Sequence, residues 1–181
     1  MFKLHVYKEV PRLALITYRV RNEIQQYLDE NKIPRERLGL VNINHWQDIY
    51  RRAVEAFVEP RYRERQGLHW LSLNGHIRED VEPIDFYDSR GCWEWVFHLS
   101  EIIPDEKAYL FIEGDHDKMW IYEGCIPEIV NLLYEGMYDD EYCIIDKKFK
   151  WIICFYHHDI ALFIGTGLNT EAIKKLKQKE D

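Results

Sequence analysis

Residues 142–165 constrain the fold more than any other stretch. Two apolar runs rich in Ile, Phe, Tyr and Trp flank Asp146, Lys147 and Lys148, and a third follows Tyr156, His157, His158 and Asp159. Their β-branched and aromatic content, broken only by short polar interruptions, reads as three consecutive antiparallel strands joined by short turns. The rest of the chain is expected to wrap around that meander.

Upstream, Leu15, Ile16, Val20, Ile24, Tyr27 and Leu28 make an apolar stripe that predicts a helix over about residues 12–31, ended near Pro34. Residues 2–7 read as a short strand or an ordered arm. A second helix is expected with Asn44 as its cap, Gln47 completing a capping box, and Ile49, Ala53 and Phe57 at four-residue intervals before Pro60. From Leu68 the periodicity changes. Residues 70–75 read as a short strand and turn and residues 78–90 as an acidic connection. Trp93, Trp95 and Phe97 alternate with Glu94, Val96 and His98 as in a half-buried strand. A short helix or turn capped by Ser100 stops at Pro104. A hairpin then runs out along 108–112, turns at 113–118 and returns along 119–122, with Gly124 breaking it. Pro127 suits the first turn of a helix with a stripe of Ile126, Ile129, Val130, Leu133 and Tyr134, ended by Gly136. After the meander, Thr170 caps a tail helix with Ile173 and Leu176 as its apolar contacts.

This order of elements lacks repeated strand-helix-strand crossovers. It predicts the α+β class: a mainly antiparallel sheet of about five to six strands with helices packed on one side. A chain of 181 residues is expected to form one domain, mainly helical over 1–67, mainly sheet over 68–168, with a helical tail over 169–181.

Charge narrows the class of partner. Residues 1–67 are net +4, residues 68–168 net -13 and residues 169–181 net +1, within a chain of net -8. An acidic middle repels nucleic acid and anionic membrane and steers a basic partner, although a solvated, solubilising surface is the plainer use of such charge. Arg51, Arg52, Arg61, Arg63 and Arg65 are interleaved with Glu55, Glu59 and Glu64, the pattern of a helix surface rather than an RNA-binding patch. Cys92, Cys125, Cys143 and Cys154 contain no Cys-x-x-Cys pair, so free thiols in a reducing cytoplasm are expected. The amino terminus lacks the apolar core of an export signal, and no run is long and apolar enough to predict a membrane span.

Motifs with chemical content are few. His157, His158 and Asp159 would need a third group such as His116 to hold a metal, and adjacent strand residues face opposite ways, so a polar turn is the preferred reading. The segment from Gly114 to Lys118 lacks the glycine and distal Glu of a calcium loop. Gly165 and Gly167 follow a late strand without the remainder of a nucleotide fingerprint, so no cofactor is expected. Cys125 and Cys154 have no nucleophile signature around them, and carboxylates are too numerous for any pair to stand out as an acid-base couple. Trp93, Trp95, Trp120, Tyr122 and Trp151 lie on adjacent expected strands; two or three of them exposed together would make a binding patch.

The run from Lys118 to Gly124 (Lys-Met-Trp-Ile-Tyr-Glu-Gly), the Lys-Phe-Lys-Trp of 148–151 and His157-His158-Asp159 resemble elements of a group of small bacterial proteins of uncharacterised function, over roughly residues 105–165. The order of elements more distantly resembles the SUKH superfamily of immunity proteins, α+β proteins that neutralise toxins by binding them. That resemblance implies protein binding and no catalytic residue. The expectation is therefore a cytoplasmic bacterial protein-binding module, an immunity or antagonist factor for a basic partner such as a toxin. Glu113, Asp115, Asp117, Asp139, Asp140 and Glu141 would form its charged rim, with Trp120 or Trp151 as anchor. The rival is a small-ligand- or metal-binding enzyme centred on His116, His157, His158 and Asp159, and a third use is self-association through an apolar patch.

Overall fold

The computed structural model describes residues 18–64, 68, 73, 84–85, 94–114, 118–136, 141–156 and 160–180. The meander forms as its pattern dictates. β5 (Tyr142–Asp146), β6 (Trp151–Tyr156) and β7 (Ile160–Gly165) pair antiparallel, with Cys143 opposite Cys154 and Cys154 opposite Leu162. The hairpin joins it through β3 (Lys107–Gly114), which sets Leu110 against Ile144 on one side and against Tyr122 of β4 (Lys118–Cys125) on the other. Two short strands finish the edges, β1 (Leu38–Leu40) beside β4 and β2 (Ile84–Asp85) beside β7. The order is β1-β4-β3-β5-β6-β7-β2. The α+β class and the antiparallel sheet are as expected; six of the strands have three or more residues, and β2 has two.

Successive residues of a strand face opposite sides, and here both sides are covered. Ala108, Leu110, Ile112, Ile144, Trp151, Ile153 and Phe163 enter one core. Tyr109, Phe111, Cys143, Ile145, Ile152, Cys154 and Leu162 enter the other. Burial on two faces is why the strands read as unbroken apolar runs rather than as alternating ones. The first face is covered by α1 (Arg19–Glu30), α3 (Leu99–Ile102), α4 (Ile126–Gly136) and α5 (Thr170–Glu180), through side chains such as Ile24, Leu99, Ile129 and Leu176. The expectation of helices on one side holds for these four. α2 (Ile43–Phe57) crosses to the second face, where Ile49, Ala53, Val54 and Phe57 meet it.

Several local expectations are corrected. The cap of α2 is Asn42, whose Oδ1 accepts from the Asn44 N–H at 2.9 Å, so Gln47 closes no capping box. Residues Glu94–His98 form a 3-10 helix instead of a strand. Its buried side chains, Trp95, Val96 and, one turn on, Leu99, follow a helical spacing that the alternation of aromatics had masked. Ser100 lies inside α3, whose cap position is His98. Gly124 continues β4, paired with Ala108 and with Leu38 of the strand β1 that sequence reading missed. A Cβ there would run into Leu38 Cδ1 and come within 3.0 Å of the Arg37 carbonyl, so glycine permits the close approach of β1. The tail helix is capped by Asn169, whose Oδ1 accepts from the Ala172 N–H at 3.3 Å, rather than by Thr170. Tyr134 is exposed and packs on Phe97 instead of entering the core. The expected arm at 2–7, the first turns of the 12–31 helix, and most of the 70–75 and 78–90 segments lie outside the described residues.

Candidate functional site

The expected anchors separate. Trp151 is 1% exposed, held on the helix-covered face with its Nε1 donating to Asp105 Oδ2 at 3.1 Å, so it cannot serve as a surface anchor. Trp95 is likewise core, stacked with Phe155 and edge-on to Phe163. Trp120 is half-buried at the margin of the sheet, its ring edge-on to Tyr18 at 5.3 Å and beneath the Arg21 guanidinium at 5.4 Å.

Trp120 stands on β4 beyond the end of β1. β1 covers β4 only as far as Tyr122, and the Val41 N–H extends the pairing by one bond to the Ile121 carbonyl at 2.9 Å. Beyond it, Trp46 Nε1 from α2 donates to the Met119 carbonyl at 2.9 Å. Among the described residues no strand pairs with Lys118, Met119 or Trp120 on that side. A groove of about 680 Å³ runs along this edge. One wall is Tyr18, Arg21 and Trp120, and the other is Ile43, Trp46 and Tyr50 on α2, the last two stacked with centroids 5.1 Å apart. Ile43 is 77% exposed, the most exposed large hydrophobic side chain among the described residues. The two cations of the groove are engaged with rings. Lys118 Nζ donates to the Tyr18 hydroxyl at 2.7 Å and lies 4.2 Å from its ring centre, and Arg21 covers Trp120. The floor is aromatic and aliphatic, Lys118 and Arg21 keep their charges at its side, and the Met119 carbonyl of the adjoining strand edge is occupied by Trp46.

Sequence reading singled out Trp120 and missed Tyr18, Ile43, Trp46 and Tyr50. The signal was present: 43, 46 and 50 form a second apolar line on α2 beside the core stripe of 49, 53 and 57.

Of the expected acidic rim, Glu113 and Glu141 are adjacent. The Glu113 N–H donates to the Glu141 carbonyl at 3.0 Å, at the end of the sheet from which the β3–β4 hairpin projects. Both are partly exposed. Asp115, Asp117, Asp139 and Asp140 lie outside the described residues, as do His116, His157, His158 and Asp159. The strand residues that flank these segments, Gly114 and Lys118, Glu141, and Tyr156 and Ile160, all stand at that same end. Among the described residues no group of three or more His, Cys, Asp or Glu could hold a metal, and no helix is long and apolar enough to cross a membrane. Cys154 is fully buried against Cys143, and that burial, reinforced by the hydrogen bond between the two sulfurs, raises its thiol well above the ordinary range. A thiol so held stays protonated, which removes it as a nucleophile.

A family model described as a family of unknown function (DUF6756) matches residues 16–177. The chain belongs to that family. No curated protein and no solved structure matches it. The DUF6756 match runs from just before Tyr18 into α5, so it takes in all seven strands, both helical layers and every described residue of the groove.

Proposed function

We propose that this DUF6756 protein is a protein-binding module, an immunity or antagonist factor of the bacterial cytoplasm that holds a basic protein partner. The observation that carries the reading is the groove along β4 beyond the end of β1, with Ile43 projecting beside it and Trp120 at its end. An exposed branched aliphatic next to stacked aromatics costs solubility, a cost that burial in a complex reverses. Trp and Tyr lose little side-chain entropy on binding, which makes Trp120, Trp46 and Tyr50 efficient anchors. Charge complements this apolar floor from the side. Glu113 and Glu141 meet at the hairpin end of the sheet, and Asp115, Asp117, Asp139 and Asp140 follow or precede them within four residues. Such a rim raises the rate of encounter with a basic partner and rejects acidic ones.

The test is photo-crosslinking in the native host from benzoylphenylalanine at position 43, with position 174 on α5 as the distant control. The expected result is one basic protein crosslinked from 43 alone. Its yield falls at least tenfold in the Trp120→Ala variant, and its rate of association falls in the Glu113→Gln/Glu141→Gln variant at low salt. The same products from 43 and 174, or a crosslink indifferent to both variants, would refute the reading.

A further inference from the structure

The groove between Trp120 and α2 carries charge of one sign. Among the described residues its lining holds two cations, Arg21 and Lys118, and no carboxylate. Both cations lie against the same ring, the Arg21 guanidinium 5.4 Å and Lys118 Nζ 5.9 Å from the centre of Trp120. Neither is in an ion pair among the described residues, and the oxygen that Lys118 bonds, the Tyr18 hydroxyl at 2.7 Å, is neutral. A ring face or a hydroxyl directs a cation without neutralising it. Like charges gathered at one ring repel, and an anion placed between them removes that repulsion. The flanking helices add to the same sign. Tyr18, at the cap position of α1, and Ile43, the first residue of α2, both line the groove, so each helix presents the positive end of its dipole there, and neither has an acidic residue in its first turn.

The second concavity walled by α2, about 710 Å³ between that helix and the β1-β4-β3 end of the sheet, is different. There Glu36, Asp48 and Glu123 stand against Arg35, Arg52 and Lys107, so the formal charges balance. The positive excess belongs to the groove alone of the two, in a chain whose net charge is -8.

We propose that the groove receives an acidic, apolar peptide segment of the partner, in which one carboxylate side chain is set between aliphatic or aromatic ones. The planar fork of Arg21 matches a carboxylate and Lys118 supplies a point charge beside it, while Ile43, Trp46 and Tyr50 meet the apolar neighbours. Rings beside cations also suit stacked bases, but a nucleic-acid strand carries a charge at every nucleotide. Glu113 and Glu141, next to the Gly114–Lys118 pair at the same end of the sheet, repel such a strand. A segment with a single carboxylate meets the two cations and leaves the rest of its contacts apolar. The basic surface of the partner then faces the acidic pair while its acidic segment enters the groove. This inference rests on the reading that the groove holds a protein, and it specifies the segment that enters.

Selection of a phage-displayed library of random linear peptides on the immobilised full chain tests it. The enriched sequences are expected to share an Asp or Glu between aliphatic or aromatic residues. The best of them, synthesised, should shift the indole N–H signals of Trp46 and Trp120 in NMR spectra. Its affinity should fall roughly tenfold in Arg21→Gln/Lys118→Gln, and equally when its own acid is replaced by the amide, and be unchanged in the distant Lys174→Gln. As Arg21 and Lys118 are exposed, the unfolding midpoint of the double variant should stay close to that of the parent. A selection that enriches nothing or enriches basic peptides, shifts confined to other regions, affinity indifferent to the double variant, or oligothymidylate bound more tightly than the peptide would each overturn the proposal. So would a dimer of the full chain, seen in sedimentation, that Ile43→Asp dissolves, since the groove would then belong to a second copy. A host protein crosslinked from position 43 through a segment without an acid would remove this inference alone, whereas peptides selected as expected with no crosslink from 43 would remove the reading of a host partner alone.

Discussion

At Asp146 a single side chain closes the turn on which the meander depends. It is 3% exposed, the one buried charged residue among those described, and its two oxygens accept from the N–H groups of Lys148 at 3.0 Å and Lys150 at 3.1 Å. Those bonds hold the turn in which Phe149 adopts a φ of 57°, a left-handed conformation that a bulky residue takes only when its surroundings enforce it. Replacing Asp146 by Ala removes two charge-assisted bonds and is expected to cost about 3 kcal/mol in urea unfolding. Asn retains one acceptor and should cost roughly half of that; equal losses for the two variants would show that charge alone matters there. Lys147 and Lys148, by contrast, are exposed. The sequence marked this position as a polar interruption and nothing more, because an inward-facing carboxylate and an outward-facing one are spelled identically.

At the scale of the element, α2 is the piece that makes both concave surfaces. Its core stripe was legible from four-residue spacing alone, yet its start was displaced by two residues, since Asn42 and Asn44 are equally good caps by composition. The structure distinguishes them: Asn42 accepts the capping bond and Asn44 donates its backbone N–H to it. Asn42→Ala should lower stability by about 1 kcal/mol while Asn44→Ala changes it little, measured as shifts in the thermal midpoint. The 3-10 helix at Glu94–His98 teaches the opposite lesson. There the alternation of large and polar residues pointed to a strand, and local pattern lost to packing, because Trp95 stacks on Phe155 and meets Phe163 edge-on from a helical turn lying over the sheet.

For the whole molecule, a sheet buried on both faces fixes how stability responds to alkali. Desolvation by burial raises the Tyr122 hydroxyl far above its ordinary value of 10.0, outweighing the opposing charge of Arg21, and burial raises Tyr109 and Cys154 in the same direction. These groups keep their protons when folded and release them when unfolded. Their contribution is therefore fully present below the unfolded values, about 9 for the thiol and 10 for the phenols, and is lost as pH rises through and above them. Urea midpoints should fall steadily above about pH 9, and tyrosinate absorbance from Tyr122 should appear only together with unfolding. The Tyr122→Phe variant should show a shallower decline; a decline of equal slope would place the alkaline sensitivity elsewhere.

The sequence by itself determined the α+β class, the three-stranded meander, the hairpin and the apolar stripes of four helices, because hydrophobic period and turn residues are local properties of a chain. Tertiary structure alone decided that α2 crosses to the second face, that Leu38–Leu40 caps the edge of β4 and stops short of its end, and that Trp151 is core while Trp120 borders a groove. Each of these depends on which strand lies at the edge and which faces are covered. Two tryptophans in similar apolar runs differ only in what the rest of the chain lays over them.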